Sequence, residues 1–323
     1  TSRLITITEA LRRRALAQTI TIWRSGRRLE IGPFRITPRL TDHSAFDAHM
    51  LLIEVAGKRI LYSGDFRTHG RKSALPRGLM AYPPRDLDVL VMEGTNLGSA
   101  KPTKSEKDLE ADFVRLFKET PGRVFVAWSA QNIDRTVTMY RACKRTGRTL
   151  VVDLYTASVL EALADLGTIP QPSWDHLTVV ITKGLRRMYA RTGQEEFVAR
   201  AAAHGISASK LARDHRKWVV MVRPSLIRDF VAKGIVPTPQ DAWSYSMWRG
   251  YLDKEDGKSL QAWFEAGGSR AVHVHTSGHA SPEDLRAFAG AMDPKVLVTI
   301  HGTGWGGKVD GFPPTRRVAD GEQ

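Results

Sequence analysis

The sequence predicts an α/β fold, and the order of strand and helix patterns along the chain is the reason. Residues 20–100 consist mostly of short strand patterns, residues 103–233 alternate strands with amphipathic helices, and residues 269–323 return to short units. Regular alternation of strand and helix is typical of a mainly parallel sheet with helices on its faces. The composition agrees, because 42% hydrophobic and 25% charged residues are ordinary values for a globular protein.

The first part of the chain opens with a helical pattern at residues 1–14 and then becomes rich in strands. Two apolar runs joined by Ala56-Gly57-Lys58 predict a hairpin. No helix of normal length is expected between Ile20 and Tyr82. The predicted strands of this part are residues 34–40, 50–55, 59–62 and 87–92.

The middle of the chain carries clear helix start and stop signals. Thr103 and Glu106 form a capping box, which predicts a helix toward Lys118, and Gly147 ends a helix that begins at Asn132. The predicted strands are residues 123–128, 149–154, 177–182 and 218–222. The predicted helices are residues 132–146, 156–166, segments within 183–213, and 225–233.

The last part predicts a strand at residues 271–276, a helix and a final strand at residues 295–300. The helix is placed by the capping box of Ser281 and Asp284, with Pro282 at the first helical position. The final strand ends at His301-Gly302.

Composition limits where such a protein works. No apolar run approaches the roughly 18 residues that span a bilayer, and no secretory signal opens the chain, so we expect a cytoplasmic protein without a membrane partner. Cys143 is the single cysteine, which excludes an internal disulfide and agrees with a reducing compartment.

The charge balance favours an anionic partner. Lys and Arg number 48 and Asp and Glu 34, which leaves a net charge of +14. Such a surplus attracts polyanions, of which nucleic acid is the commonest, although a charge that only maintains solubility is the alternative interpretation.

Five polar residues follow predicted strands, at positions where α/β proteins collect ligands and catalytic groups. Taken singly, each of them is also what a hydrogen-bonded structural residue or a turn would look like. As a set they indicate a hydrolytic metal site, because histidine and carboxylate are the usual ligands of zinc there. The residues are His43, Asp65, Glu93, His279 and His301.

Their sequence surroundings resemble a known family. Thr41-Asp42-His43-Ser44 and Ser63-Gly64-Asp65-Phe66 are similar to the third and fourth metal motifs of the metallo-β-lactamase fold. Three later motifs resemble, in the same order, those of the β-CASP nucleases within that fold. They are Glu93-Gly94-Thr95, Ser277-Gly278-His279-Ala280 and Val298-Thr299-Ile300-His301-Gly302.

The resemblance implies a metallo-β-lactamase αββα-type fold with an inserted β-CASP α/β domain. Residues 1–102 would be the first part of the metallo-β-lactamase domain, residues 103–268 the β-CASP domain, and residues 269–323 the C-terminal part of the first domain. It also implies two zinc ions and hydrolysis of phosphodiester bonds in RNA, or in single-stranded DNA, by metal-activated water. A homo-oligomer is left open.

The family also implies a role for each matching residue. His43 and His301 would each bind one zinc ion, and Asp65 would bridge the two. His279 would contact the scissile phosphate or protonate the leaving group, and Glu93 would orient a neighbouring group. Ser277, Gly278 and Arg135 would contact the substrate, with a solvated helix residue as the alternative interpretation of Arg135.

One motif of the family does not occur in this sequence. The HxHxDH motif should precede His43, but His43 is the first histidine, and His273-Val274-His275 supplies only the start of such a motif. We therefore expect a chain that lacks its N-terminal part, with an enzyme-dead relative as the alternative. A small-molecule metallo-hydrolase and a non-catalytic nucleic-acid-binding or scaffold protein are the other functions to test.

One aromatic cluster allows two interpretations. Trp243, Tyr245, Trp248 and Tyr251 lie close together around Arg249. Such a cluster could stack nucleic-acid bases or pack in a core.

Overall fold

The computed structural model describes residues 2–16, 18–100, 102–302, 304–306 and 310–318. The chain divides into two compact units, which we call unit 1 (residues 1–19 and 106–276) and unit 2 (residues 20–105 and 277–323). The division predicted from the sequence has different bounds, because it placed residues 1–19 and 269–276 outside the middle segment and residues 103–105 inside it. The assignment of the predicted domains to these units stays a prediction.

Strands and helices occur throughout the described residues. In chain order, the strands are β1 Leu29–Ile31, β2 Phe34–Leu40, β3 His49–Val55, β4 Lys58–Tyr62, β5 Val89–Met92, β6 Val124–Ala127, β7 Thr149–Asp153, β8 Leu177–Val180, β9 Gly205–Ile206, β10 Trp218–Met221, β11 Ala242–Tyr245, β12 Arg270–Ala271, β13 Val296–Thr299 and β14 Thr315–Arg316. The α-helices are α1 Ser2–Leu11, α2 Ala74–Ala81, α3 Glu106–Glu119, α4 Ile133–Thr146, α5 Leu154–Ala162, α6 Lys183–Ala190, α7 Glu195–Ala203, α8 Ala208–Leu211, α9 Pro224–Val231, α10 Glu255–Ala266 and α11 Pro282–Met292.

Unit 2 contains a mixed seven-stranded sheet in the order β1-β2-β3-β4-β5-β13-β14. Neighbours from β1 to β4 pair antiparallel, and the remaining neighbours pair parallel. The predicted hairpin is confirmed, with Leu51 opposite Tyr62. Because β4, β5 and β13 run parallel, their carboxyl ends lie at the same edge of the sheet, and this edge is where the predicted site residues follow.

The core of unit 2 forms between this sheet and α11. Leu61, Leu90 and Met92 are fully buried from the sheet side. Phe288 of α11 packs against Phe66, with ring centroids 4.5 Å apart. Burial of each such side chain contributes about 1.5–3 kcal/mol, so this core holds the loops that follow β4 and precede α11 in place.

Unit 1 contains a seven-stranded sheet in the order β12-β11-β6-β10-β7-β8-β9, and all of its pairings are parallel. Every residue of β6, β8, β10 and β11 is buried. Continuous burial is expected of parallel strands that helices cover on both faces. The alternating pattern predicted for the middle of the chain is therefore confirmed.

Helix α1 belongs to unit 1. Arg3 forms an ion pair with Asp165 and donates a hydrogen bond to the carbonyl oxygen of Ala162 at 2.7 Å. Thr8 and Tyr155 hydroxyl oxygens lie 3.5 Å apart. These contacts explain why the first residues group with α5 and not with the strands that follow them in sequence.

Three expectations about single elements were wrong. Helix α2 lies within residues 20–82, where none was expected. Pro76 and Gly78 within it are signals typical of turns and loops, so the sequence did not indicate a helix. Helix α3 begins at Glu106 itself and not at Thr103. The strand predicted at residues 271–276 is limited to β12. In the described part of the chain, no helix has both the length and the apolar character needed to cross a membrane.

Candidate metal centre

Four of the predicted site residues meet at the edge of the unit 2 sheet. Asp65, Glu93 and His301 follow β4, β5 and β13, and His279 precedes α11. One ligand atom from each residue can be chosen so that all four atoms lie within 4.8 Å of one another. This group could hold a metal ion, because it combines carboxylate oxygens with imidazole nitrogens.

Glu93 is the buried hydrogen-bond acceptor beneath this group. Its side chain is 0% exposed. One carboxylate oxygen accepts the backbone N–H of Phe66 at 3.0 Å, and the other accepts the backbone N–H of Thr95 at 3.3 Å. The second oxygen also accepts Nδ1–H of His279 at 3.0 Å. Glu93 therefore orients its neighbours and keeps little capacity for a ligand of its own.

His279 is held in one tautomer by this contact. Because Nδ1 donates to Glu93, Nε2 is the ring atom left for a metal or a substrate. Burial lowers the pKa of His279, but the hydrogen bond to Glu93 and the charge of that carboxylate outweigh burial, so the pKa lies above its ordinary value of 6.5.

His301 and Asp65 form the exposed part of the group. Nδ1 of His301 lies 2.7 Å from a carboxylate oxygen of Asp65, and the His301 side chain is 55% exposed. His301 has φ +47°, in the left-handed region that side chains other than glycine seldom adopt. Such backbone conformations are concentrated at functional sites. A Cβ on Gly302 would lie 2.4 Å from the carbonyl oxygen of Gly94, which shows how closely the two strand ends approach.

His43 adjoins the group from the loop after β2. Its Nδ1–H donates to the carbonyl oxygen of Gly278 at 2.6 Å, and its Nε2 lies 3.9 Å from Asp65. Burial, the largest influence, lowers the pKa of His43 below 6.5. A neutral imidazole whose Nε2 is available is the form that binds metals. The ring centroids of His43 and His279 are 5.3 Å apart.

The loop of Ser277 and Gly278 is fixed by contacts that the sequence did not reveal. Asn96 Nδ2 lies within hydrogen-bond distance of Ser277 Oγ, at 3.1 Å, and of the carbonyl oxygens of His279, at 3.0 Å, and Ala280, at 3.1 Å. Nε2 of His69 lies 2.9 Å from the carbonyl oxygen of Ser277. The one sequence feature that could have indicated a role for Asn96 is its position directly after the motif Glu93-Gly94-Thr95.

Ser277 and Gly278 have structural contacts of their own. Ser277 Oγ accepts the backbone N–H of His279 at 3.1 Å. A Cβ on Gly278 would lie 2.5 Å from Ser44 Oγ, so a larger residue here would force Ser44 or the loop to shift. Both residues position the two histidines beside them, and their predicted contact with the substrate stays a prediction.

A buried ion pair joins the loop that carries His43 to the loop that carries Asp65. Arg67 Nε lies 3.2 Å from a carboxylate oxygen of Asp42, and both side chains are 0% exposed. The backbone N–H of Arg67 also donates to the carbonyl oxygen of Asp42 at 2.7 Å. Removing one partner of such a pair typically costs 3–5 kcal/mol. Sequence patterns could not identify this pair, because a charged residue beside a motif is usually solvated.

Arg135 lies in unit 1, where its guanidinium is 0% exposed. It pairs with Glu106 at 3.0 Å and donates to the carbonyl oxygen of Ser246 at 2.9 Å. Its predicted substrate contact stays a prediction, and its burial favours a role in positioning these two residues.

The other two histidines of interest, His273 and His275, also belong to unit 1, with ring centroids 5.8 Å apart. They follow β12 and do not lie in a strand. Burial and the charge of Arg135 lower the pKa of His275 to about 3. Within the described residues they are not part of a group of three or more potential metal ligands.

The donor set of unit 2 fits one divalent cation. Asp65, His279 and His301 belong to the group whose ligand atoms lie within 4.8 Å of one another, and His43 Nε2 lies 3.9 Å from Asp65. Glu93 is largely occupied by hydrogen bonds. Zinc takes about four such ligands at a hydrolytic site, one of which is water. Two ions that share Asp65 would need more donors than this set supplies.

The mixed and parallel sheets, with a His and carboxylate group at the strand ends, define an α/β metallo-β-lactamase-like fold. A solved structure agrees: it is titled a protein of unknown function from Enterococcus faecalis V583 and covers 95% of this chain and 67% of its own, with a TM-score of 0.75 and 19% identity. No family model matches the chain.

Curated relatives carry a specific name. Ribonuclease J of Helicobacter pylori strain B128 is 25% identical over 286 residues, which is 85% of this chain and 38% of the relative. Ribonuclease J of Mycobacterium tuberculosis strain CDC 1551 is 24% identical, with coverages of 87% and 49%. Ribonuclease J 1 of Streptococcus pyogenes is 24% identical, with coverages of 81% and 45%. The chain thus spans two fifths to half of these relatives, and they support the ribonuclease J-like β-CASP fold that the motifs predicted.

Proposed function

We propose that this chain carries part of the catalytic machinery of a zinc-dependent nuclease that hydrolyses phosphodiester bonds in RNA. The observation that carries the proposal is the group of Asp65, Glu93, His279 and His301 at the strand ends. Two further facts support it. Relatives over most of the chain are named ribonuclease J, and the net charge of +14 suits a polyanionic substrate.

Each residue has a proposed task. Asp65, His301 and His43 would hold zinc, which when bound supplies a nucleophilic water near neutral pH and offsets the charge of the phosphate. Hydrolysis places the hydroxyl of water on phosphorus, breaks the P–O bond, and transfers a proton to the leaving oxygen. His279 Nε2 would donate that proton or contact the phosphate, and Glu93 would stabilise the protonated imidazole through Nδ1.

RNA is the proposed substrate in preference to DNA because of the names of the relatives. Single-stranded DNA is the second substrate to test, since recognition of the 2′-hydroxyl is what separates the two. The single cysteine, which suits a reducing compartment, supports the further proposal of a cytoplasmic location.

The test measures zinc binding and cleavage in the same variants. Zinc per chain is determined by elemental analysis, and cleavage of a 5′-phosphorylated, 3′-fluorescent RNA oligonucleotide is followed with zinc added. Asp65→Asn and His301→Ala are expected to lower both. His204→Ala is the control, because His204 is an exposed histidine of unit 1. Zinc content and cleavage that survive both site substitutions would overturn the proposal.

A non-catalytic RNA-binding protein is the second candidate. The observation that favours it is that the donors present fit one ion, and that HxHxDH does not occur in the sequence. RNA binding without cleavage at high zinc would support this candidate. Cleavage of a small ester with no effect on RNA or single-stranded DNA would instead support a small-molecule metallo-hydrolase.

A further inference from the structure

A cavity of about 470 Å³ lies within unit 1, apart from the residues of the candidate metal centre. Ala127 ends β6, Val222 follows β10 and Tyr245 ends β11, and all three line the cavity. It therefore lies at the carboxyl edge of a parallel sheet, where open α/β sheets bind ligands. Its volume is within the range of small-molecule sites.

Aromatic rings are the first feature of the cavity that points to a ligand. Tyr245 lines it and is buried, whereas Tyr251 lines it and is 47% exposed. Trp248, 64% exposed, lies beside Tyr251 with ring centroids 5.3 Å apart and the planes at 90°. The predicted aromatic cluster thus divides: Trp243 and Tyr245 pack in the core, and the other two rings remain available for stacking.

The charges of the cavity restrict the ligand further. Lys254 Nζ lies 5.3 Å over the ring of Tyr251 and forms no ion pair that the described residues show. Arg223 is balanced by the buried Asp153, at 2.6 Å. Glu255 and Asp256 also line the cavity. Because Glu255 and Asp256 repel added negative charge and Lys254 can accompany a single one, the cavity fits a ligand with one phosphodiester charge better than a triphosphate.

We propose that this cavity binds one nucleotide unit of single-stranded nucleic acid, with the base stacked on Tyr251 or Trp248 and its phosphodiester beside Lys254. This inference deepens the proposed function and rests on it for the choice of ligand. Such a contact on unit 1 would help to retain the nucleic acid while the phosphodiester bond is hydrolysed at the metal centre. It would not distinguish the bases, because every base has a ring face that can stack.

The test measures binding in the absence of cleavage. Fluorescence anisotropy follows a fluorescein-labelled single-stranded oligoadenylate in buffer with chelator, using the full chain. Tyr251→Ala is expected to weaken binding roughly 5- to 150-fold, whereas Tyr251→Phe keeps the ring and should bind like the parent protein. Lys254→Gln should weaken binding and lower the slope of log K against log salt by about 0.7.

The control variants stay close to the cavity. Lys258→Gln changes an exposed lysine in the first turn of α10, the helix that directly follows Lys254. Tyr82→Ala removes a tyrosine that is 86% exposed in unit 2. Both should bind normally. Normal binding by Tyr251→Ala, or equal loss in Lys258→Gln and Lys254→Gln, would overturn the inference. The inference would also be overturned if uridine triphosphate displaced the oligonucleotide at least tenfold better than uridine monophosphate, because the cavity would then be a site for a free nucleotide.

Failure of this inference is separable from failure of the proposed function. Asp65→Asn is expected to bind the oligonucleotide normally while it loses cleavage. If Tyr251→Ala loses binding but Asp65→Asn cleaves normally, the cavity is a nucleic-acid site and the metal centre has been misassigned. If Tyr251→Ala binds normally and Asp65→Asn loses cleavage, the proposed metal centre stands and the proposed nucleotide site in the cavity is wrong.

Discussion

Glu93 illustrates how one buried carboxylate organises several neighbours. Two backbone N–H groups and the Nδ1–H of His279 all donate to it, so its two oxygens hold three residues in place. It also settles which nitrogen of His279 is available. A residue that accepts so many hydrogen bonds tolerates little change, because even glutamine would turn one acceptor into a donor.

Asp88 provides a pH-dependent contribution to stability at the opposite end of β5. Its hydrogen bond from Lys295 Nζ, at 2.8 Å, and then that from the backbone N–H of Arg59 lower its pKa from 3.8 to about 2. Because the folded-state pKa is depressed, the stabilisation is present above the unfolded-state value and is lost as pH falls through about 2. Urea unfolding should therefore show Asp88→Asn less stable than the parent at neutral pH and equal to it near pH 2.

The control for this prediction is Asp86→Asn in the same loop. Asp86 has φ +54°, a conformation that asparagine adopts readily, so the substitution should change stability little at either pH. A stability difference between Asp88→Asn and the parent that is the same at neutral pH and near pH 2 would contradict the linkage.

The capped start of α11 holds the segment that carries His279, three residues before the first residue of the helix. Ser281 caps this helix by accepting the backbone N–H of Asp284 at 3.1 Å. Ser281→Ala should lower the free energy of unfolding by about 1 kcal/mol, since an N-cap hydrogen bond is lost. Ser73 precedes α2 without any side-chain cap hydrogen bond, so Ser73→Ala is the matched control and should leave stability nearly unchanged. Equal losses in chemical denaturation would show that the cap of α11 contributes nothing.

Elements with strong local signals could be predicted from the sequence. The hairpin of β3 and β4, the capped start of α11 and the glycine end of α4 at Gly147, with φ +68°, follow from turn chemistry and capping. The sequence did not predict β11 or α10. β11 has the sequence AWSY, without the alternation of a half-buried strand, and becomes a strand through pairing with β6 and β12.

The candidate site was predictable only in part. Asp65, Glu93 and His301 could be placed together because parallel strands end at the same edge. The supporting contacts of Asn96, His69 and the Asp42–Arg67 pair could not, because they join segments about 180 to 210 residues apart or depend on burial that a motif does not express.

At the scale of the whole molecule, each unit is assembled from segments distant in sequence. The hydrogen bond between His43 and Gly278 joins residues 235 positions apart. Contacts of such long range must form before they stabilise anything, and proteins rich in them fold slowly. The candidate metal centre is therefore complete only after both segments of unit 2 have come together.

The net charge of +14 makes a prediction for the whole chain. If single-stranded nucleic acid is held through about five phosphates, its affinity should fall roughly 100-fold between about 50 and about 200 mM salt, because each contact contributes about 0.7 to the slope. Anisotropy titrations at several salt concentrations measure that slope. A methylphosphonate oligonucleotide, which has no backbone charge, should bind with little salt dependence, and a steep slope for it would contradict the electrostatic explanation.

Cys143, on α4, is 0% exposed, and burial raises the pKa of its thiol. Only a thiolate that reaches solvent reacts with a maleimide. Since this is the single cysteine of the chain, every alkylation event records an opening of unit 1, with no engineered label. The rate of alkylation, followed by mass spectrometry, therefore measures local unfolding around α4. Unit 2 contributes no signal, because it contains no cysteine.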